Sequence, residues 1–582
     1  YQGNGQVMVI GDADQTIYEF RGSKPEYITK EFEKAFSSGC QEGEETTHTS
    51  YQLPHTFRYG HKLSLLANQV IGENQDREDV LCLSHPTTPN TRIHLHHHGD
   101  YSQQVLTLLN ELAEKRPLED IAILNRLWGI SAPIELALLQ ADMPYQLDHT
   151  QTVLDRFELE IFWILFEIAS DNFKKRNRRQ RKAAWLTLLT QPFPKVKRAL
   201  LEDMAENISQ HDSDLSQALW DAIPKDISKW QRQQLEDRGQ VIEAAEMAST
   251  ELPESNTGSQ SETQPTQSHT KKSHTKKREL KAWQLAQQYI NATDLYEGIK
   301  DSAFSAQQIE DRSETIKAFV SFLRVTNKPA NQIFDYLHEL KQRHKNKQNS
   351  GVRITSIHKA KGLEWPVVII PALSARYYPY EAEGTFTTKS SEESERRLFY
   401  VAMTRAKEDL YLIAPPAWNS QQESKKSQSQ KTQAEQQQTK DWPSKFLREA
   451  DFALCNQVGG LIEQGEVLTE PQELEAIQVK KSQGLIERYS DRIQFDLPVK
   501  LTLKRESPES SSKGATGIAS SSRFEIEDDE AEYQKGQWLV HGKLGKGRVV
   551  RDEKKYVTIY FSADKKERKL DKTIAGPWLS EG

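Results

Sequence analysis

Short apolar runs rich in β-branched residues recur along this chain with helix-patterned segments between them, and that alternation most constrains the fold. Val7–Ile10, Ile121–Leu124, Val352–Ile357, Val367–Ile370 and Leu410–Ile413 read as strands too continuously apolar to have a wet face. Between them, Ile134-Glu135-Leu136-Ala137-Leu138-Leu139 and Glu392–Lys407 carry helical periodicity. Strands alternating with helices predict an α/β class protein built on a parallel sheet. From about residue 166 to 345 the pattern is helical throughout, with Trp185, Leu186, Leu188 and Leu189 on one side of a helix.

A chain of 582 residues has room for several domains. Its mean hydropathy of −0.74 is low for a wholly packed protein. The polar excess sits in tracts: Ser249–Lys277, where SHTKK occurs twice, Ser420–Lys440, and Glu506–Ser522. The first reads as a disordered linker, and the other two interrupt the patterned segments around them. The final stretch, Gly536–Leu579, alternates with period 2 between glycine turns and predicts a small barrel of short strands. From 536 to 572 it holds eleven Lys/Arg against five Asp/Glu, whereas the whole chain carries −7. Any nucleic-acid surface is therefore local. Three distant cysteines, Cys40, Cys82 and Cys455, exclude a disulfide scaffold and point to a reducing, cytoplasmic setting. No apolar run approaches the ~20 residues of a membrane helix, and no signal peptide is evident. The chain opens on Tyr1 and reads almost at once as a buried strand, the pattern of a fragment.

Three segments carry chemistry. GDADQTIYEFRG, Gly11–Gly22, follows the first apolar run and offers an amide (Gln15), two aromatics (Tyr18, Phe20) and Arg21. An amide can hold a water or a phosphate oxygen without ionising, and aromatics can stack on bases; an ordinary turn with two half-buried rings fits as well. VRITSIHKAKGLEWPVVII, Val352–Ile370, is expected to place Thr355, His358, Lys361 and Glu364 near one sheet edge, as phosphate donors and a ribose acceptor or as structural residues. In ESERRLFYVAMTRAKEDLYL, Glu395–Leu412, Leu398, Val401, Ala402 and Arg405 share a helical face. Arg405 there is either a core ion-pair arginine or a fork aimed at developing phosphoryl charge.

Order and wording together resemble the UvrD/Rep family of superfamily 1 DNA helicases. GDADQTIYEFRG resembles motif III, and LPHTFRYGHKLSLLANQVI, Leu53–Ile71, the motif IV region. ITSIHKAKGLEW is similar to motif V and ERRLFYVAMTRAK to motif VI, with supporting similarity at Glu119–Arg126, MPYQL and Pro443–Leu447. The resemblance implies a RecA-like parallel sheet domain with a helical insertion and an SH3/Tudor-like C-terminal barrel. It implies a remnant of a first RecA-like domain at 1–55, the second such domain at 56–165 and 346–450, the insertion at 166–345 with its linker at 249–277, a weakly structured region at 451–535, and the barrel at 536–582. Family members are ATP-driven motors that move 3′→5′ on single-stranded DNA and unwind duplexes.

On this resemblance Gln15 senses the γ-phosphate and places the attacking water, while Arg58 and Arg405 meet the γ-phosphate. Phe57 stands where a tyrosine commonly stacks on adenine, and Glu364 contacts the nucleotide sugar. Tyr18, Phe20, Arg21, Thr355 and His358 face DNA. The implied cofactors are ATP and Mg²⁺, and the implied partners are single-stranded and duplex DNA, with RNA polymerase or another protein on the barrel. The phosphate-binding GxxxxGK[ST] loop and the DExQ motif that binds Mg²⁺ occur nowhere in the chain. The expectation is a C-terminal helicase portion that does not hydrolyse ATP alone. A non-hydrolysing DNA- or partner-binding remnant is the alternative; a helicase–nuclease subunit lacks its nuclease signature. Seven basic residues within Lys174–Lys182 suggest a phosphate grip or a solvated helix face, and His94, His96, His97 and His98 lack the partners of a metal site.

Overall fold

In the computed structural model the described residues are 8–37, 50–75, 77–78, 80–148, 151–249, 279–347, 350–381, 391–416, 442–464, 483–496, 538–541, 545–552, 556–561, 566–571 and 579–581. Most of each polar tract named above lies outside them. The chain divides into two compact units, Tyr1–Leu503 and Lys504–Gly582.

The first unit is organised by a six-stranded parallel sheet of β1 (Arg92–His97), β2 (Ile121–Asn125), β3 (Tyr145–Leu147), β4 (Val352–Ser356), β5 (Trp365–Ile370) and β6 (Ala406–Ala414). Its spatial order is β1-β6-β5-β2-β4-β3. Register pairs Val368 with Leu410 and Ala122 with both Val368 and Arg353. Because successive side chains point to opposite faces, Ile121, Ile123, Val367 and Ile369 enter one core, and Ala122, Leu124, Val368 and Ile370 enter the other. That double burial explains the unbroken apolar runs.

One face is covered by α1 (His61–Ile71) and by a helix over Glu392–Met403; the other by α2 (Tyr101–Ala113), α3 (Ser131–Gln140) and the helical unit. The helical unit includes α4 (Glu160–Ala169), α5 (Arg178–Thr190), α6 (Lys229–Ser249), α7 (Ala282–Thr293), α8 (Ala306–Thr326) and α9 (Ala330–Lys347). Its core is continuous with the sheet's, since Phe162, Trp185 and Phe319 belong to the same apolar cluster as Ile354 and Val367. The remaining helices of the first unit that bear on the site are α10 (Glu392–Met403), α11 (Phe452–Glu463) and α12 (Gln483–Asp496). The last two lie in the weakly patterned stretch 451–535; Leu454, Val458, Ile486 and Tyr489 bury against the same core as α1.

Three expectations need correction. Residues 8–10 form no strand, and Met8 and Ile10 are 81% and 77% exposed, because no described strand supplies a ladder for them. The helix expected over Glu392–Lys407 ends at Met403, and the strand after it starts at Ala406. Thr404 ends the helix, its hydroxyl donating to the carbonyls of Tyr400 and Val401 in place of onward helical bonding. Thr355 and Glu364 do not share a sheet edge. β4 and β5 are parallel with β2 between them, so residues 357–364 must run from the C-terminal end of one to the N-terminal end of the other.

The second unit is an antiparallel sheet of β7 (Trp538–His541), β8 (Gly545–Asp552), β9 (Tyr556–Phe561), β10 (Lys566–Asp571) and β11 (Leu579–Glu581) in the order β10-β9-β8-β7-β11. Val549 and Ile559, paired across β8 and β9, are buried, as period-2 alternation requires.

Sheet and helical unit are joined by a buried ion pair. Arg156 donates to Glu135 at 2.5 Å, to Ser131 at 2.7 Å and to Thr315 of α8 at 2.8 Å, while Glu135 also accepts from the Val153 amide at 2.8 Å. Replacing Glu135 with Ala strands the Arg156 charge and should lower unfolding stability by about 3–5 kcal/mol in urea melts followed by circular dichroism. A loss below about 1 kcal/mol would show that the pair is dispensable.

Candidate nucleotide-facing site

The site forms where three loops meet at the N-terminal ends of β5 and β6. Arg405 sits between Thr404 and the first residue of β6, and only 2% of it is exposed. Its Nε donates to the Val401 carbonyl at 3.0 Å and its Nη1 to the Leu363 carbonyl at 3.3 Å; Nη2 donates to Thr404 Oγ1 at 3.2 Å and to Gln15 Oε1 at 3.1 Å. Every one of these acceptors is neutral, and no carboxylate among the described residues pairs with this charge. Burial, and after it the neighbouring Arg58 guanidinium, pull the Arg405 pKa down to about 10, so it stays charged at neutral pH.

Arg58 approaches from the segment before α1. Its Nε donates to Glu364 Oε2 at 2.6 Å and its Nη1 to the Thr404 carbonyl at 3.0 Å. Gly60 makes this approach possible: a Cβ there would lie 2.8 Å from the Thr91 amide nitrogen, and the Gly60 N–H donates to Thr91 Oγ1 at 2.8 Å. Glu364 also takes Lys407 at 2.6 Å, and hydrogen bonds from Lys407 and then Arg58 hold its carboxyl below the usual range. Phe57 is 67% exposed, its ring 4.4 Å from that of His85.

The Gly11–Gly22 segment supplies the third side as two 3₁₀ turns, Ala13–Gln15 and Glu19–Arg21. Asp12 caps the first, accepting from the Asp14 amide at 2.9 Å, and its other oxygen accepts from Gln15 Nε2 at 2.6 Å. Arg77 anchors Asp14 through two bonds, of 3.1 and 2.7 Å, and Lys361 donates to the Gln15 carbonyl at 2.8 Å. Further on, the Tyr18 hydroxyl donates to the His358 carbonyl at 2.8 Å, Arg21 lies 5.5 Å from the Tyr18 ring centroid, and Glu19 pairs with Arg397 of α10 at 2.6 Å. The segment thus spans both groups of residues predicted from sequence: Gln15 beside Arg405, and Tyr18 beside His358.

Phe20 lies in the second turn; its side chain falls outside the described part. Thr355 is buried, its hydroxyl donating to Asp148. Sequence reasoning missed Asp12, Thr404 and Lys407, whereas Lys361, singled out in the Val352–Ile370 segment, is found on the Gln15 carbonyl. The first two are polar neighbours of predicted residues, yet what they touch depends on how distant loops meet.

A family match decides the lineage. The UvrD-like helicase C-terminal domain matches residues 51–415. This chain belongs to the UvrD-like helicases. The UvrD/REP helicase N-terminal domain matches residues 1–37 in addition. ATP-dependent DNA helicase PcrA of Bacillus subtilis (strain 168) is 26% identical over 424 residues, 70% of this chain and 50% of that protein. DNA helicase II of Haemophilus influenzae is 24% identical over 418 residues, 70% of this chain and 51% of that protein. This UvrD-like chain therefore spans about half the length of the curated relatives it matches.

Two other clusters are engaged internally. In the basic run, Lys174 pairs with Asp171, Arg176 with Glu167, and Arg178 and Lys182 with Glu206, while Arg181 donates to backbone carbonyls. His94 pairs with Asp409 at 2.9 Å and stacks on Tyr411 with centroids 4.3 Å apart. Among the described residues no group of His, Cys, Asp or Glu gathers that could hold a metal ion, and no helix is long and apolar enough to cross a membrane.

Burial drops the His358 pKa to about 4, with Arg126 adding in the same direction. The unfolded chain takes up that proton near pH 6.5 and the folded chain only near 4, so this residue makes stability fall as pH drops from about 6.5 toward 4 and level off below. A His358→Asn variant should lose part of the stability difference between pH 7 and pH 5 in urea melts. An unchanged difference would contradict the burial argument.

Proposed function

We propose that this chain is the C-terminal part of an ATP-dependent DNA helicase that moves 3′→5′ on single-stranded DNA and unwinds duplexes in repair or replication. The observation that carries the reading is Arg405, a buried, permanently charged fork with only neutral partners, whose neighbour Arg58 adds a second guanidinium. Two such forks bound by a single carboxylate make a preorganised seat for a polyanion, and they suit charge that builds on a transferring phosphoryl group. Gln15, fixed against Arg405, lies where an amide can hold a γ-phosphate oxygen or the attacking water. Phe57 offers an accessible ring to adenine, and Glu364 reaches the sugar once it shares or releases Arg58 and Lys407.

The γ-phosphate reaches DNA through the Gly11–Gly22 segment in this reading. Displacement of Gln15 is transmitted to Tyr18, Phe20 and Arg21, which with His358 contact the strand, while the inward-turned Thr355 supports the end of β4. ATP is the substrate and Mg²⁺ arrives with it; the phosphate-binding loop and the metal ligands come from outside the residues present, so no step here passes through the metal. The exposed Met8 and Ile10 beside the site suit a surface covered by another domain. The second unit is read as an SH3/Tudor-like barrel, whose local basic excess fits nucleic acid or a protein partner such as RNA polymerase. The setting is cytoplasmic.

The test uses the complete gene product and the chain by itself. The complete protein should hydrolyse ATP when single-stranded DNA is added, and Arg405→Ala or Arg58→Ala should lower the rate roughly 10³-fold while DNA affinity stays within a few fold. The chain by itself should bind DNA without turnover. Unaltered hydrolysis in both variants would refute the phosphoryl role. DNA binding by the complete protein that is indifferent to ATP would favour the non-hydrolysing remnant.

A further inference from the structure

We infer that Asp12 is a positioning residue for phosphoryl transfer: its carboxylate fixes which end of the Gln15 amide faces the nucleotide. This rests on the proposed role of Gln15 at the γ-phosphate and adds a residue to it. A glutamine amide has a donor end and an acceptor end of nearly equal size, and rotation about the last bond of the side chain exchanges them. Left unconstrained, Gln15 would present either end.

Two neighbours remove that freedom. Arg405 is donor-only, so the amide atom at 3.1 Å from its Nη2 must be oxygen. An ionised carboxylate is acceptor-only, so the amide atom at 2.6 Å from Asp12 Oδ2 must be the NH₂ group. The two constraints agree and hold the amide from both ends. Asp12 is itself fixed, because its Oδ1 accepts from the Asp14 amide at 2.9 Å, and Arg77 clamps Asp14 in turn. The Gln15 backbone is pinned separately, by Lys361 on its carbonyl. Of these contacts only that with Asp12 sets the donor end of the side chain.

Asparagine at this position separates the orienting role from a capping role. Asn caps a turn about as well as Asp, so Asp12→Asn keeps the bond to the Asp14 amide with its single oxygen. The remaining NH₂ group then faces Gln15 as a donor. Gln15 must either leave a donor against a donor or rotate and turn its own NH₂ toward Arg405. An isosteric change that preserves the fold therefore either removes the contact that holds the donor end of the amide or turns the amide over.

The complete gene product is assayed for DNA-stimulated ATP hydrolysis, and for affinity toward ADP alone and ADP with tetrafluoroaluminate, in wild type, Asp12→Asn, Gln15→Ala and the double variant. Asp12→Asn should lower kcat about tenfold to hundredfold, weaken the tetrafluoroaluminate complex by a similar factor, and leave ADP affinity and the melting temperature unchanged. In the Gln15→Ala background it should cost nothing further. Wild-type behaviour of Asp12→Asn, with Gln15→Ala impaired, overturns the orienting role and leaves the γ-phosphate role standing. The same holds for an Asp12→Asn loss that persists undiminished in the double variant. Wild-type hydrolysis in Gln15→Ala, or a wild-type protein that neither hydrolyses ATP nor gains affinity with tetrafluoroaluminate, overturns both.

Discussion

A permanent positive charge buried at the head of β6 governs the arrangement around it. Guanidinium cannot shed its proton at neutral pH, so Arg405 must be solvated by the protein itself, and the acceptors come from far apart in sequence: Val401 and Thr404 from the end of α10, Leu363 from the crossover before β5, and Gln15 from the first loop. Carbonyls, a hydroxyl and an amide stabilise the charge without neutralising it. A carboxylate there would neutralise the charge, at the cost of desolvating a second ion.

Parallel strand order imposes the next constraint. Because β4 and β5 run the same way with β2 between them, the residues joining them cross the sheet from one end to the other. Its Glu364 end therefore meets Arg58, and its His358 portion meets Tyr18. The Gly11–Gly22 segment runs alongside and touches it twice more, through Lys361 at the Gln15 carbonyl and through the Tyr18 ring. Gln15 and Tyr18 are thereby both held against the same crossover. α10 ties into the same frame, since Arg397 holds Glu19 and Glu395 holds Arg126 at 2.6 Å each.

Beyond the sheet, the helical unit is attached through polar contacts as well as apolar ones. The Gly129 amide donates to Asp311 of α8 at 2.6 Å, and Arg376 bridges Glu310 and Glu314 of the same helix. Burial raises the Asp311 pKa to about 6. Directional bonds of this kind set the orientation of α8 on the sheet in a way that interchangeable aliphatic contacts cannot.

The alternation of apolar runs and helical periods determined the α/β class, because strands buried on both faces cannot be polar and helices on one face must be periodic. Wording and order of the motifs likewise determined the lineage and singled out Gln15, Arg58, Glu364 and Arg405. Met8–Ile10 misled, since apolar character marks a residue that is able to join a sheet, while a ladder also needs a partner strand. Thr404 and Arg405 misled about where α10 ends, since a hydroxyl bonding back to its own helix leaves no trace in hydrophobic periodicity. Tertiary structure alone decided that Thr355 and Glu364 lie at opposite ends of strands separated by β2, that four residues of the basic run pair with Glu167, Asp171 and Glu206, and that Asp12 faces the Gln15 amide. Each of these depends on distances between segments remote in sequence, and a sequence records residue types along the chain, whereas hydrogen bonds and ion pairs depend on positions across it.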